Sequence, residues 1–204
     1  MPPPTTGPLP LSDAAFDIVA LAASAGGVQA LREILTGLPA DFPAALAVVL
    51  HRPAGFHGLL ADVLGRRTLL RVKEAEEGER LAARTVFLAP PGFHLLVTPR
   101  GTLSLSVGPK VNHVRPSAEP LFLSMAASCE ARAVAVVLTG GDGDGSDGVR
   151  EVKRRGGVVI VQDPAEAEAP GMPRSAIATG CADQVLPLAE IASALVRLVR
   201  PARV

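Results

Sequence analysis

Residues 16–27 read FDIVALAASAGG, a run of small and β-branched apolar residues that breaks into Ser24, Ala25 and two glycines. Apolar residues at consecutive positions, without polar alternation, are the pattern of a strand buried on both faces, the kind found in parallel sheets. Gly26 and Gly27 then let a helix begin. Val28, Leu31, Ile34 and Leu35 fall on one of its faces, and Gly37 and Pro39 stop it. A buried strand feeding directly into a helix is the opening unit of an α/β fold.

The same reading extends along the chain. Residues 45–50 (ALAVVL), 133–138 (AVAVVL) and 158–162 (VVIVQ) are further buried strands, and 184–186 is a short one. Leu59, Leu60, Val63 and Leu64 form a helical stripe, and helices are expected over 117–127, 145–155 (capped around Ser146 or Asp147), 175–179 and 188–199. Between them, 69–72, 85–89, 94–98 and 103–107 are short apolar stretches broken by Gly, Pro and charge, which predicts brief strands with some antiparallel pairing. The expected fold class is α/β: a doubly wound, mostly parallel sheet flanked by helices, with a short antiparallel hairpin region in the middle of the chain. Residues 1–13 (MPPPTTGPLPLSD) read as a Pro-rich flexible tail, and 14–204 as one folded domain.

Composition narrows the function. Formal net charge is zero, aromatics are 3% of residues, and Trp and Tyr are absent, so neither an electrostatic footprint nor a stacking platform for nucleic acid is present. Cys129 and Cys181 have no metal-binding spacing and read as small apolar residues in a reducing compartment. No secretory leader pattern and no apolar run of about 18 residues occurs, which predicts a cytoplasmic protein without membrane insertion. No cofactor or metal is expected.

Three polar residues stand just beyond buried strands: Ser24, His51 at the end of AALAVVL, and Asp144 in TGGDGDG. The carboxyl edge of a parallel sheet is where ligands and chemistry are placed. The AASAGG turn can be read as a phosphate cradle or as a nucleophile turn. A dinucleotide site would need GxGxxG and an acid at the end of the second strand, and neither is there. A nucleophile turn needs an exposed hydroxyl and free N–H groups at a helix start, which Ser24 to Gly27 can supply. His51 alone fits a strand-end imidazole bonded to a carbonyl as well as a general base, and His57, His94 and His113 are weaker candidates. The 139–148 loop spaces Asp142, Asp144 and Ser146 like calcium ligands, but the positions requiring Gly and a bidentate acid hold Asp147 and Lys153. Asp144 is thus left to aim a carboxylate inward or to cap the helix. Together, hydroxyl, imidazole and carboxylate point to a hydrolase in the chain order Ser, His, Asp.

In order and spacing, ASAGGVQAL (23–31), VVLHRPAGF (48–56), FLAPPGFHLLV (87–97), VNHVRPSAEPLF (111–122), VVLTGGDGDGSDGV (136–149) and GMPRSAIATG (171–180) resemble the catalytic domain of CheB-type chemotaxis protein-glutamate methylesterases. The resemblance runs over about 16–197. It implies a cytoplasmic, cofactor-free serine hydrolase that removes methyl esters from glutamates of methyl-accepting chemoreceptor proteins and in many members deamidates glutamine. Carried over by motif, Ser24 is nucleophile, His51 base and Asp144 its orienting acid, and the N–H groups of Ala25 and Gly141 are the oxyanion donors. His113, Arg115, Met172, Pro173 and Arg174 are expected at the substrate cleft. Three departures stand out. Ala25 replaces the usual Thr or Ser, Gly141 replaces the common Met, and no receiver domain precedes the tail. If the chain is complete, control by internal phosphorylation is absent, and regulation is expected from a partner such as a separate receiver or signalling protein, from expression, or not at all. A module that binds receptors or signalling partners with weakened turnover is the alternative.

Overall fold

A computed structural model describes residues 16–51, 59–141 and 143–199. The 1–13 tail, His57 and Asp142 lie outside them. In chain order the elements are β1 (Ile18–Ala23), α1 (Gly27–Gly37), β2 (Ala45–Leu50), α2 (Leu59–Gly65), β3 (Arg71–Glu74), β4 (Thr85–Leu88), β5 (His94–Val97), β6 (Leu103–Ser106), α3 (Ala118–Cys129), β7 (Ala133–Val137), α4 (Ser146–Arg154), β8 (Val158–Gln162), α5 (Gly171–Ala178), β9 (Gln184–Leu186) and α6 (Leu188–Val199).

Seven strands form one parallel sheet in the order β3-β4-β2-β1-β7-β8-β9, and β5 and β6 pair antiparallel beside it. Every residue of β1, β2 and β7 is buried, because each strand packs both faces. Alternate side chains divide between two cores. On one face Ala20, Ala22, Ala47 and Ala135 are small enough to let Leu121, Phe122 and Met125 of α3 settle onto the sheet. On the other, Leu21, Leu46, Val48 and Val136 meet Leu31 and Ile34 of α1 and Ile191 and Leu195 of α6. At the amino edge, Arg132 donates Nε to Asp17 Oδ2 (2.9 Å) and Nη2 to Oδ1 (2.7 Å), a bidentate tie between the starts of β7 and β1.

The order places a switch point at β1. From there the chain crosses to β2 through α1 on one face, whereas β7, on β1's other side, leads into α4 on the opposite face. Such a divergence opens a crevice at the carboxyl ends of the strands.

The expected antiparallel hairpin region is β5–β6, and the neighbouring short strands β3 and β4 join the main parallel sheet. Other expectations need correcting. α4 is capped by Gly145 in the left-handed region (φ 89°) with no side-chain cap bond, and the Ser146 hydroxyl instead donates to the Gly143 carbonyl. α5 starts at Gly171, four residues before the expected start, because Pro173 sits in its first turn, where a missing N–H costs nothing. On α1, Val28 is 40% exposed, and on α2 only Leu60 and Leu64 of the four-residue stripe are buried.

Candidate active site

Parallel register brings the first two groups together. The last paired residues of β1 and β2 are Ala23 and Leu50, and the ladder continues as the His51 N–H donates to the Ala23 carbonyl at 3.0 Å. Ser24 and His51 therefore sit side by side on strands about 4.8 Å apart, and both line one cavity. On the other side of β1, the Ser24 N–H donates to the Thr139 carbonyl (2.9 Å), which fixes the serine turn against the end of β7.

The turn itself depends on glycine at two places. Gly26, the N-cap of α1, has φ 74°, a left-handed conformation that a side chain strains. Gly140 lies so close to the turn that a Cβ there would fall 2.1 Å from Met172 Sδ and 3.0 Å from Ser24 Cβ. The Gly140 N–H donates to the Ala169 carbonyl and its carbonyl accepts the Met172 N–H, each at 2.8 Å, which zips the loop after β7 to the start of α5.

Asp144 approaches from that loop and is buried (2% exposed). Its Oδ2 accepts His51 Nε2–H (2.7 Å) and the Ala118 N–H (2.6 Å), and its Oδ1 accepts the Ser117 hydroxyl (2.6 Å) and Asn112 Nδ2–H (3.1 Å). Burial alone would raise this carboxyl, but the bonds from His51, Ser117 and the Ala118 N–H outweigh it and hold it below the usual carboxylate range. An ionised acid with four donors is rigid. It fixes the His51 tautomer, because a proton on Nε2 leaves Nδ1 as the basic nitrogen.

Ser117 is itself held. It caps α3, its hydroxyl accepting the Glu119 N–H, and its own N–H donates to His94 Nδ1 at 3.3 Å. His94, buried at 3%, donates Nε2–H to the Pro109 carbonyl (2.9 Å). The β5–β6 hairpin thereby anchors the helix start that cradles Asp144. Thr139 performs a similar service for the serine turn: its hydroxyl donates to the Ala25 carbonyl and accepts the Ala169 N–H, both at 2.9 Å. Thr139→Val keeps the shape and leaves both partners unsatisfied, so it is expected to lower stability by about 1–3 kcal/mol in urea unfolding, together with esterase turnover; an unchanged midpoint would contradict the staple.

Glu119, next to this cluster, has an unusual charge. Burial, then the neighbouring carboxylates of Asp147 and Asp144, push it up to about 7, and only the Asp147 and Gly148 N–H groups oppose the rise. Its Oε1 is buried without a hydrogen-bond partner among the described residues. An acid raised from 4.5 to about 7 binds its proton more tightly in the native state. Its contribution to stability is thus intact below pH 4.5 and lost as pH climbs through 7. Glu119→Gln is expected to match the wild type in unfolding free energy at pH 4 and to exceed it at pH 8 by roughly 1–2 kcal/mol, allowing for partial exposure. A constant difference across that range would refute the assignment.

The structure brings Ser24, His51 and Asp144 to one rim. Ala25 and Gly141, both exposed, flank it, and among the described residues neither N–H donates to a protein acceptor. The five expected cleft residues lie around this rim in different settings. His113 is exposed with φ 65°, Arg115 donates Nη1 to the Val107 and Gly108 carbonyls, Met172 (1% exposed) and Pro173 are buried, and Arg174 is exposed; none lines the cavity at Ser24. Asn112, Ser117, Thr139 and His94 complete the cluster beyond the residues expected there from sequence. Asn112 and Ser117 lie in VNHVRPS, and a serine at the start of a helical stretch, the N-cap pattern, is the one signal legible for Ser117. The described residues hold no group of metal-ligating side chains. Cys129 and Cys181 are free thiols, and burial pushes Cys129 up to about 12, where it is inert at neutral pH.

A hydroxyl, an imidazole and a buried carboxylate at the switch point of a doubly wound sheet are the equipment of a serine hydrolase, recognised by geometry rather than chain order. Comparison with known proteins makes the class specific. The family model for CheB methylesterase matches residues 19–195, and the chain belongs to the CheB methylesterase family. It is 42% identical over 198 residues to protein-glutamate methylesterase FrzG of Myxococcus xanthus, covering 97% of this chain and 59% of that protein. A putative protein-glutamate methylesterase/protein-glutamine glutaminase of Leptospira interrogans is 38% identical, with 90% of this chain and 95% of that one aligned. The crystal structure of the Thermotoga maritima CheB methylesterase catalytic domain superposes with a TM-score of 0.88 at 38% identity, over 90% of this chain and 99% of that one. The chain thus spans little more than half of FrzG and nearly all of the other two.

Proposed function

We infer that this chain hydrolyses γ-methyl esters of glutamate side chains on methyl-accepting chemoreceptor proteins, with Ser24 as nucleophile. The observation that carries this reading is the 2.7 Å bond from His51 Nε2 to a buried Asp144, made by a histidine one residue beyond the strand that flanks Ser24. With Nε2–H committed to the carboxylate, Nδ1 takes the Ser24 hydroxyl proton as Oγ attacks the ester carbonyl carbon. The negative oxygen is received by the N–H groups of Ala25 and Gly141. Collapse breaks the bond to the methoxy oxygen, which leaves as methanol with the proton from Nδ1. A water then gives a proton to Nδ1 and attacks the acyl-enzyme, which frees the glutamate and returns the proton to Ser24. Asp144 stabilises the imidazolium in both halves. Glutamine deamidation follows the same route with ammonia as leaving group.

Because both oxyanion donors are backbone groups, Ala25 and Gly141 need no side chain to act, and a Cβ at Gly141 would meet nothing within 4 Å, so the loop has room for either residue type. The catalytic domain in this reading occupies 14–204 and acts in the cytoplasm. No helix among the described residues is long and apolar enough to cross a membrane. The test is methanol release from methylated chemoreceptors: steady turnover supports the esterase, whereas receptor binding with no methanol would make this a binding module.

A further inference from the structure

Beside the catalytic rim, α1 and α2 diverge and leave a cavity of about 620 Å³ with Ser24 and His51 among its lining residues. Among the described residues the rest of its wall is almost entirely apolar: Val28 on α1, Leu50 at the end of β2, and Leu59, Leu60 and Val63 on α2, with Gln29 as the polar exception and no charged group other than the histidine's potential one. Three of these side chains are left open, Val28 at 40%, Leu59 at 66% and Val63 at 37% exposure. Apolar residues that a helix could have turned inward, but did not, mark a surface waiting for a partner when they cluster.

The cavity is also too large for the reacting group. A glutamyl methyl ester side chain has six non-hydrogen atoms, which even at the roughly 30 Å³ of a liquid water molecule each fill no more than about a third of it. An ester carbonyl held at Ser24 therefore leaves apolar space within one helical turn of the attacked residue. On an α-helix, the side chains three and four positions away lie about 5–6 Å from it on the same face, and apolar knobs at that spacing are what an interhelical groove accepts.

We propose that the α1–α2 groove is a specificity subsite that takes an apolar side chain three or four residues from the esterified glutamate on a helical substrate. The proposal rests on the esterase reading and adds to it the place where an apolar neighbour of the modified glutamate is received. Continuity with Ser24 and His51 selects this occupant, since anything seated in the groove abuts the reacting ester. Val63 on α2 belongs to the groove and not to the triad, so changing it separates recognition from chemistry.

The test compares three esters by methanol release: two otherwise identical helical peptides with one glutamate γ-methyl ester, flanked at three and four residues on either side by Leu or by Ser, and the isolated N-acetylglutamate γ-methyl ester amide. The wild type is expected to favour the Leu peptide in kcat/KM by about tenfold or more, mainly through KM. Val63→Asp is expected to abolish that preference, hydrolysing the Leu and Ser peptides with equal kcat/KM, with thermal unfolding followed on the same preparations. Equal turnover of the two peptides by the wild type would overturn the proposal without reference to any variant, as would a preference that survives Val63→Asp. Failure to hydrolyse any of the three, the isolated ester included, would overturn the esterase reading and this inference with it.

Discussion

Ser24→Ala is expected to lower methanol release from glutamate methyl esters by about 10⁴ to 10⁶ in kcat, with KM little changed. The substitution removes one oxygen and keeps the Cβ that packs toward Gly140. Its N–H still donates to the Thr139 carbonyl and its carbonyl still accepts the Gly27 N–H at 2.9 Å, so the turn survives. What disappears is the covalent route, leaving only water attack in a site whose proposed oxyanion donors, the Ala25 and Gly141 N–H groups, are intact. Initial-rate methanol assays with wild type and variant decide the matter. A variant that keeps more than roughly a tenth of the activity would remove Ser24 from the role, because no residual route in such a site approaches that level.

Asp144→Asn should cost about 10⁴ in kcat for a different reason. The carboxylate now accepts from His51, Ala118, Ser117 and Asn112. An amide of the same shape can keep its oxygen toward His51 and Ala118, but its nitrogen then faces the Ser117 hydroxyl, which can turn to accept, and the Asn112 amide. Folding therefore survives with a loss of about 1–3 kcal/mol, whereas the imidazolium formed at His51 loses its counter-charge. A fall in kcat that far exceeds the shift in unfolding midpoint identifies the electrostatic role. A loss under tenfold would mean that the carboxylate does no more than cap α3.

The residues differ in how far they disclose themselves in sequence. ALAVVL and VVIVQ coincide with β2 and β8 because a strand buried on both faces must be apolar at almost every position. The same rule exposes Ser24 and His51 as the first polar groups past such runs, and places Asp144 in the glycine-rich loop after the third, beyond Thr139 and Asp142. β3 is different. RVKE is exposed or half-buried along its length at the sheet edge, and its charges hide the parallel pairing with β4. Spacing could not tell that Leu59 and Val63 face outward, since a helical stripe looks the same whether it meets a core or an open groove. Asn112 and Ser117 were hidden by distance, reaching Asp144 across 32 and 27 residues through a loop with no regular period. Local pattern carries elements; partners that meet through a loop become visible when the sheet has folded.

The proposed chemistry requires Ser24 and His51 to act as one proton-transferring unit with Asp144 behind them. The most direct measurement is labelling of the intact protein with a fluorophosphonate, located by peptide mass spectrometry, in the wild type and in His51→Gln. A single adduct on Ser24 in the wild type, its rate of formation falling by at least about 10³ without the imidazole, is the expected result. Labelling of another residue, or of Ser24 at an unchanged rate in His51→Gln, would contradict it.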